Sequence, residues 1–303
     1  MKILLFGKNG QVGWELQRAL APLGDLIALD RRGERGLSGD LSNLDALAAM
    51  VRAVAPDVIV NAAAYTAVDR AEAEAGVAAT INGAAPGVLA REAAARGAWL
   101  VHYSSDYVFD GSGDRPRDES SACSPLSVYG RTKLDGELAV VNGGAKHLIF
   151  RTSWIYAARG DNFARTMLRL AQERERLRVV ADQVGAPTGA ELIADVTAHA
   201  LRMALRDPRL GGLYHLAAGG DTSWHGYAKH VIEWARERGR PIRVAPDAIE
   251  PIASSDYPAA ARRPLNSRLD TERLRHRFDL VLPDWRDGVN RMLAETLGPP
   301  VET

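Results

Sequence analysis

Cysteine is almost missing from this chain: Cys123 is the only one in 303 residues. A disulfide within the chain is therefore impossible, and a zinc site built on several thiolates is excluded. No histidine stands near Cys123 in the manner of a catalytic pair, so it reads as an ordinary thiol. Low cysteine use fits a reducing compartment. An excess of either charge is missing too, with Lys+Arg and Asp+Glu at 38 each. A protein that grips phosphate backbones carries a basic surplus, so no nucleic-acid partner is expected. Any charged ligand must be held by local groups and not by a global field. Long apolar runs are absent as well. The opening run, residues 3–6, is shorter than the apolar region of a secretion signal, and nothing approaches a membrane span. The expectation is a soluble, cytoplasmic protein with no membrane partner.

What is present is a regular alternation. Hydrophobic residues make up 46% of the chain, enough for a sizeable core. Residues 2–6, 26–30, 58–60 and 99–104 are short apolar runs of strand type. Between them, residues 12–23, 44–54 and 81–95 repeat apolar positions at helical spacing. Such alternation, with right-handed crossovers, predicts a doubly wound parallel sheet. The second half is less regular. It offers helices at 129–141, 163–175, 192–205 and 223–238, the last capped by Ser223 or Thr222, and strands at 147–152, 177–181 and 213–216. Residues 242–266 are proline-rich and irregular, and so long a loop is more often functional than idle. The expected fold is α/β. A Rossmann-like doubly wound parallel sheet occupies residues 1–155, and a smaller C-terminal α/β substrate domain occupies 156–303, with some segments returning to the first.

The stretch Gly7-Lys8-Asn9-Gly10-Gln11-Val12-Gly13 follows the first strand and opens the first helix. Dinucleotide binding needs a tight turn, bare backbone near the pyrophosphate and close helix–strand packing, and glycines supply all three. The helix N-terminus then offers free N–H groups to the phosphates. Asp30, ending the second strand, suits the adenosine ribose hydroxyls of NADH. Arg31 and Arg32 follow at once and suit the 2′-phosphate of NADPH, so use of either cofactor is expected. Asp40 and Leu41 are placed to hold the adenine. Asn61-Ala62-Ala63-Ala64 leaves the end of the third strand bare enough for a cofactor to pass, although helix–sheet packing explains the alanines equally well.

Tyr129-Gly130-Arg131-Thr132-Lys133 puts a phenol and an ammonium four residues apart, on one helical face. Tyrosine can protonate a carbonyl oxygen as hydride arrives, and a neighbouring ammonium lowers its pKa toward the neutral range. Chance produces this spacing now and then, so its weight comes from its order in the chain. Ser105 precedes it, in Tyr103-Ser104-Ser105-Asp106-Tyr107 at the end of the fourth strand. That is a carboxyl strand end, where ligands sit in open α/β sheets.

The ordered set of Gly7, Gly10, Gly13, Ser105, Tyr129 and Lys133 resembles an extended short-chain dehydrogenase/reductase. The resemblance covers nearly the whole chain and narrows to the dTDP-4-dehydrorhamnose reductase family. It is carried by the opening residues 6–16, by Asp106-Tyr107-Val108-Phe109, by Arg151-Thr152-Ser153-Trp154, by Gly185-Ala186-Pro187-Thr188 and by Arg262-Arg263-Pro264-Leu265-Asn266-Ser267. It implies reduction of the C4 ketone of a dTDP-sugar with NADPH or NADH. Tyr129 is then the general acid, Lys133 its partner and a ribose ligand, and Ser105 a hydroxyl where the family usually has threonine. Asp106, Tyr103 and Trp154 line the sugar pocket, and Tyr103 is also a candidate for the cofactor. Ala62, Ala63, Ala64, Tyr65 and Thr66 follow the cofactor path. Arg262, Arg263 and Asn266 are candidates for the substrate, the arginines for its diphosphate. The resemblance also implies a homodimer with magnesium held by Glu15, Glu191 and Glu295, a ligand type that suits Mg²⁺.

Three other readings share these residues. A nucleotide-sugar dehydratase needs an Asp-Glu pair after the strand-end hydroxyl, and this chain has Asp106-Tyr107. An epimerase would keep the same Tyr129 and Lys133 but retain its cofactor. A nucleotide-binding regulatory subunit would bind cofactor without turnover.

Overall fold

The computed structural model describes residues 1–33 and 36–298. Its core is a six-stranded sheet. The strands β1 (Lys2–Phe6), β2 (Asp25–Leu29), β3 (Val58–Asn61), β4 (Trp99–Ser105) and β5 (Lys146–Thr152) are joined by β10 (Gly212–His215) in the order β10-β5-β4-β3-β1-β2. Every pairing in it is parallel. β3 and β4 are buried along their whole length, as expected of central strands covered on both faces. The chain reverses direction across the sheet between β1 and β3, which is where open α/β sheets bind ligands.

Helices cover both faces. On one side α1 (Gln11–Leu20) turns Val12, Leu16 and Leu20 inward, one turn apart. On the other lie α2 (Leu44–Val54), the short turns α3 (Val68–Ala71) and α4 (Ala75–Ala78), α5 (Ala85–Arg96) and α6 (Val128–Asn142). The helix expected at 81–95 opens with a wide π turn, Ala79–Ala84, that buries Asn82. The reason is polar: Asn82 Oδ1 accepts from Tyr65 N at 2.8 Å, and its Nδ2 donates to Tyr65 O and to Thr132 Oγ1. Such bulges are frequent at functional sites.

The second half builds a smaller lobe and also returns to the sheet. After β6 (Ile155–Tyr156) come α7 (Phe163–Glu173), β7 (Leu177–Val180), β8 (Val184–Gly185), β9 (Thr188–Gly189) and α8 (Ala190–Arg206). α8 leaves the lobe to pack against α1, and β10 supplies the sixth strand. β11 (Thr222–Ser223) and α9 (Trp224–Glu237) follow, with Ser223 as the cap. β7 does not join the main sheet. It pairs with β12 (Ile249–Ile252), a strand inside the segment expected to be irregular throughout. The helices α10 (Glu272–Phe278) and α11 (Trp285–Leu297) close the chain. Among the described residues no helix is long and apolar enough to cross a membrane.

Candidate active site

The glycine turn sits between β1 and α1, against the end of β3. The three glycines differ in what they do. Gly7 has φ +86°, and a Cβ there would lie 2.8 Å from the backbone of Ala62 and Ala63. A Cβ on Gly13 would lie 2.0 Å from Gly7 O. These two are demanded by the chain itself. Gly10 is extended (φ −72°, ψ 165°), and a Cβ there would meet only Gly7 O, at 3.4 Å. The chain itself therefore makes little demand for glycine at position 10. No side chain caps α1, which leaves its N-terminal N–H groups for an anion. The site therefore fits a dinucleotide pyrophosphate. We expect Gly13→Ala to lower the melting temperature and abolish NADPH binding, and Gly10→Ala to keep the wild-type melt while weakening NADPH in a fluorescence titration. Wild-type affinity in Gly10→Ala would remove this turn as the pyrophosphate seat.

At the next strand end, Asp30 Oδ1 accepts from the N–H groups of Arg32 and Gly33, and Oδ2 accepts from Asn9 Nδ2 at 2.6 Å. Burial opposes its charge, but these donors prevail and hold its carboxyl below the usual range. Arg31 is exposed and reaches Asp40 Oδ1 at 3.8 Å. Asp40 Oδ1 also takes two bonds from Ser42, while Leu41 is buried. Ala64 is half-buried and Thr66 exposed. Tyr65 turns its phenol away to donate to Glu74 Oε2 at 2.5 Å, so this stretch presents backbone rather than that side chain.

The catalytic candidates come together at the carboxyl end of β4. Ser105, Asp106 and Lys133 are all buried. Ser127 caps α6 by accepting from Gly130 N, and Glu72 Oε1 accepts from Val128 N at 2.8 Å, which fixes the turn carrying Tyr129. Gly130 allows close approach, since a Cβ there would lie 2.2 Å from Tyr107 O. The Tyr107 ring meets the Tyr129 ring edge-on, centroids 5.4 Å apart. Contrary to the lowering expected from a neighbouring ammonium, burial, aided by the Asp106 charge and opposed by the Ser105 hydroxyl, pushes Tyr129 up to about 12. Burial pushes Lys133 down to about 8, against the pull of Glu137. Burial raises Asp106 to about 6, with the Ser267 and Ser105 hydroxyls holding it back. Ser105 Oγ donates to Asp106 Oδ1 at 2.9 Å, and Asp106 Oδ2 is buried without a hydrogen bond.

The remaining candidates take up the following places. The Tyr103 ring does not face a sugar pocket. Its hydroxyl bonds Thr197 Oγ1 at 2.8 Å in the core under α8, and only its carbonyl reaches the site, accepting from Lys133 Nζ at 2.6 Å. Asn266 is buried as a tether: its Nδ2 donates to Arg115 O and its Oδ1 accepts from Arg268 N, so its amide is engaged with the chain. Arg263 forms a two-pronged pair with Asp69, at 2.7 and 3.3 Å, beside Tyr107. Arg262 is exposed. The proposed magnesium ligands do not form a site within one chain. Among the described residues no group of three or more acidic, histidine or cysteine side chains could hold a metal. Glu15 pairs with Arg18 at 3.4 Å and Glu191 with Arg291 at 3.6 Å. Glu15, Glu295 and Asp195 are still near enough to Glu191 to add, after its own burial, to its raised pKa.

Trp154 holds φ +47°, a left-handed backbone that a bulky side chain seldom adopts. Its indole stacks on Trp224 at 3.7 Å, and a Cβ on Gly185 would lie 2.9 Å from it. Trp224, Asn82, Glu72 and Asp69 were not anticipated. Each acts through a partner distant in sequence, and nothing local marks them.

Comparison with known proteins gives a consistent picture. The family described as RmlD substrate binding domain matches residues 1–297. A dTDP-4-dehydrorhamnose reductase of Shigella flexneri is 58% identical over 97% of this chain and 98% of its own length. Among solved structures, a dTDP-4-dehydrorhamnose reductase of Clostridium acetobutylicum superposes with a TM-score of 0.87 at 32% identity, covering 98% of this chain and 100% of that one. One of Bacillus anthracis, in complex with NADP, gives 0.86 at 34% identity over 97% of this chain and 99% of that one.

Proposed function

The chain belongs to the RmlD substrate binding domain family of dTDP-4-dehydrorhamnose reductases, and from that premise we propose that it reduces the C4 ketone of dTDP-4-dehydro-L-rhamnose to dTDP-L-rhamnose, the last step in making that sugar nucleotide. The observation that carries this is the convergence of the half-buried Tyr129 with the buried Ser105 and Lys133 at the carboxyl end of β4, beside the uncapped glycine turn.

When bound, NADPH or NADH supplies the hydride. Asp30 and Arg31 stand for the two choices of cofactor, one toward ribose hydroxyls and the other toward a 2′-phosphate. The chain's own residues handle the proton. Tyr129, neutral at physiological pH, donates to the carbonyl oxygen as it gains charge. Lys133 stabilises the resulting phenolate and holds the nicotinamide ribose. Ser105 orients the carbonyl. Asp106 and Trp154 face the sugar, and Arg263 can exchange Asp69 for a substrate phosphate. Residues 1–155 serve the cofactor and most of 156–303 the sugar nucleotide. The homodimer and its magnesium belong to the same proposal, with carboxylates from two copies converging; sedimentation with and without magnesium tests this. The setting is cytoplasmic.

The direct test follows absorbance as NADPH and NADH are oxidised with dTDP-4-dehydro-L-rhamnose generated in place. Oxidation that depends on the sugar supports the reading, and its absence with cofactor bound would overturn it. We also expect a pH signature. The working form of Lys133 is the ammonium, and its pKa in the fold is lowered to about 8. Activity is therefore retained at neutral pH, and kcat/KM falls as pH rises through about 8. A profile flat through that range would count against an essential ammonium.

A further inference from the structure

The chemistry above uses Lys133 but not the buried charges behind it. One turn further along α6, Glu137 is gripped by Arg151 of β5: Nε donates to Oε1 at 2.9 Å and Nη2 to Oε2 at 2.7 Å. The two side chains are only 5% and 4% exposed. Arg151 also meets Cys123 Sγ at 3.2 Å and His215 Nε2 at 3.5 Å, and lies 5.1 Å from the Phe109 ring centre. An ion pair this deep is weak as a source of net stability, because desolvation opposes it. Its presence asks for another reason.

We propose that Glu137 is a positioning residue for the reaction: locked by Arg151, it is the fixed counter-charge that holds the Lys133 ammonium in place for the cofactor. This rests on the reductase reading given above. Residues four apart share a helical face, so Glu137 lies directly behind Lys133. Both its oxygens are held by the guanidinium, so it does not swing over to neutralise Lys133 by contact. Its charge acts through space, in a region where the low dielectric strengthens Coulomb forces.

The other groups around Lys133 do not replace it. On its own helix Tyr129 stays protonated, since burial raises it. On β4, Tyr103 is raised by burial, and His102 is pushed well below its usual range by burial and then by Lys133 itself. Asp106, after β4, acts on Tyr129. On β5 and β10, Arg151 keeps its charge and His215 is driven down to about 3 by burial. Burial, aided by the Glu137 charge, raises the Cys123 thiol, although Arg151 draws it down. The π turn contributes Asn82, which is uncharged. Among the described residues Glu137 is left as the anion that favours the ammonium.

A mere tie between α6 and β5 would set stability and leave the titration of Lys133 alone. The test is NADPH binding by fluorescence across the neutral and alkaline range, with kcat/KM measured alongside. Wild-type affinity should weaken as Lys133 loses its proton. In Glu137→Gln that midpoint should move to lower pH by about half a unit or more. Because Glu137→Gln leaves a buried guanidinium unpaired, the double variant Glu137→Leu/Arg151→Met is measured beside it. It should shift in the same direction, since Glu137 is the charge that opposes the effect of burial at Lys133. A folded variant whose midpoint coincides with the wild type overturns the inference. Failure of the reductase reading looks different: the wild type oxidises no NADPH with the sugar, while the binding titration still decides the role of Glu137.

Discussion

Replacing Tyr129 by phenylalanine is expected to lower kcat by about 10²–10⁴-fold while NADPH binds as before. The phenol keeps its proton at neutral pH, because burial holds it at about 12, and so has it to give to the carbonyl oxygen. Phenylalanine keeps the ring that packs edge-on to Tyr107 and removes only the hydroxyl. The cap of α6 lies in Ser127 and Glu72, so the turn should not move. The loss belongs to the transition state, so kcat and kcat/KM should fall together and KM should change little. Steady-state rates with a parallel cofactor titration check this. Near wild-type turnover would end the proton-donor assignment, and a lost cofactor site would show that the ring has a wider structural role.

The residues most legible in the sequence are those whose chemistry needs fixed types at short spacing. Gly7, Gly10 and Gly13 fall within one turn, and Tyr129 and Lys133 share one helical face, so local pattern suffices. The parallel sheet was legible for the same reason, because β3 and β4 are short runs buried on both faces. What escaped depends on partners far away in the chain. Glu72 reaches Val128 across 56 residues, and Asp69 reaches Arg263 across 194. On the sequence each looks like a solvated helix charge. Strand position does not tell which way the Tyr103 ring turns: packing under α8 takes its hydroxyl, and its carbonyl meets Lys133. Strand β7 has the right composition for the main sheet, but its pairing with β12 is set by the lobe around it.

The second large effect concerns stability. Arg151→Met should destabilise the fold by about 3–5 kcal/mol, because it strands a buried carboxylate. Glu137 is 4% exposed, and in the wild type both its oxygens are satisfied by this one guanidinium. Methionine roughly fills the volume and supplies no donor. Cys123 and His215 lose a neighbour as well, but neither depends on it for charge, since His215 is neutral and its Nδ1 faces Arg117 O at 2.9 Å. The cost should therefore come from the stranded charge and not from a cavity. Removing that charge too, in Glu137→Leu/Arg151→Met, should recover most of the loss, since apolar replacement of a whole buried pair is often neutral or better. Denaturant melts of the three proteins decide it. If single and double variants melt alike, packing and not charge is what Arg151 contributes at this site.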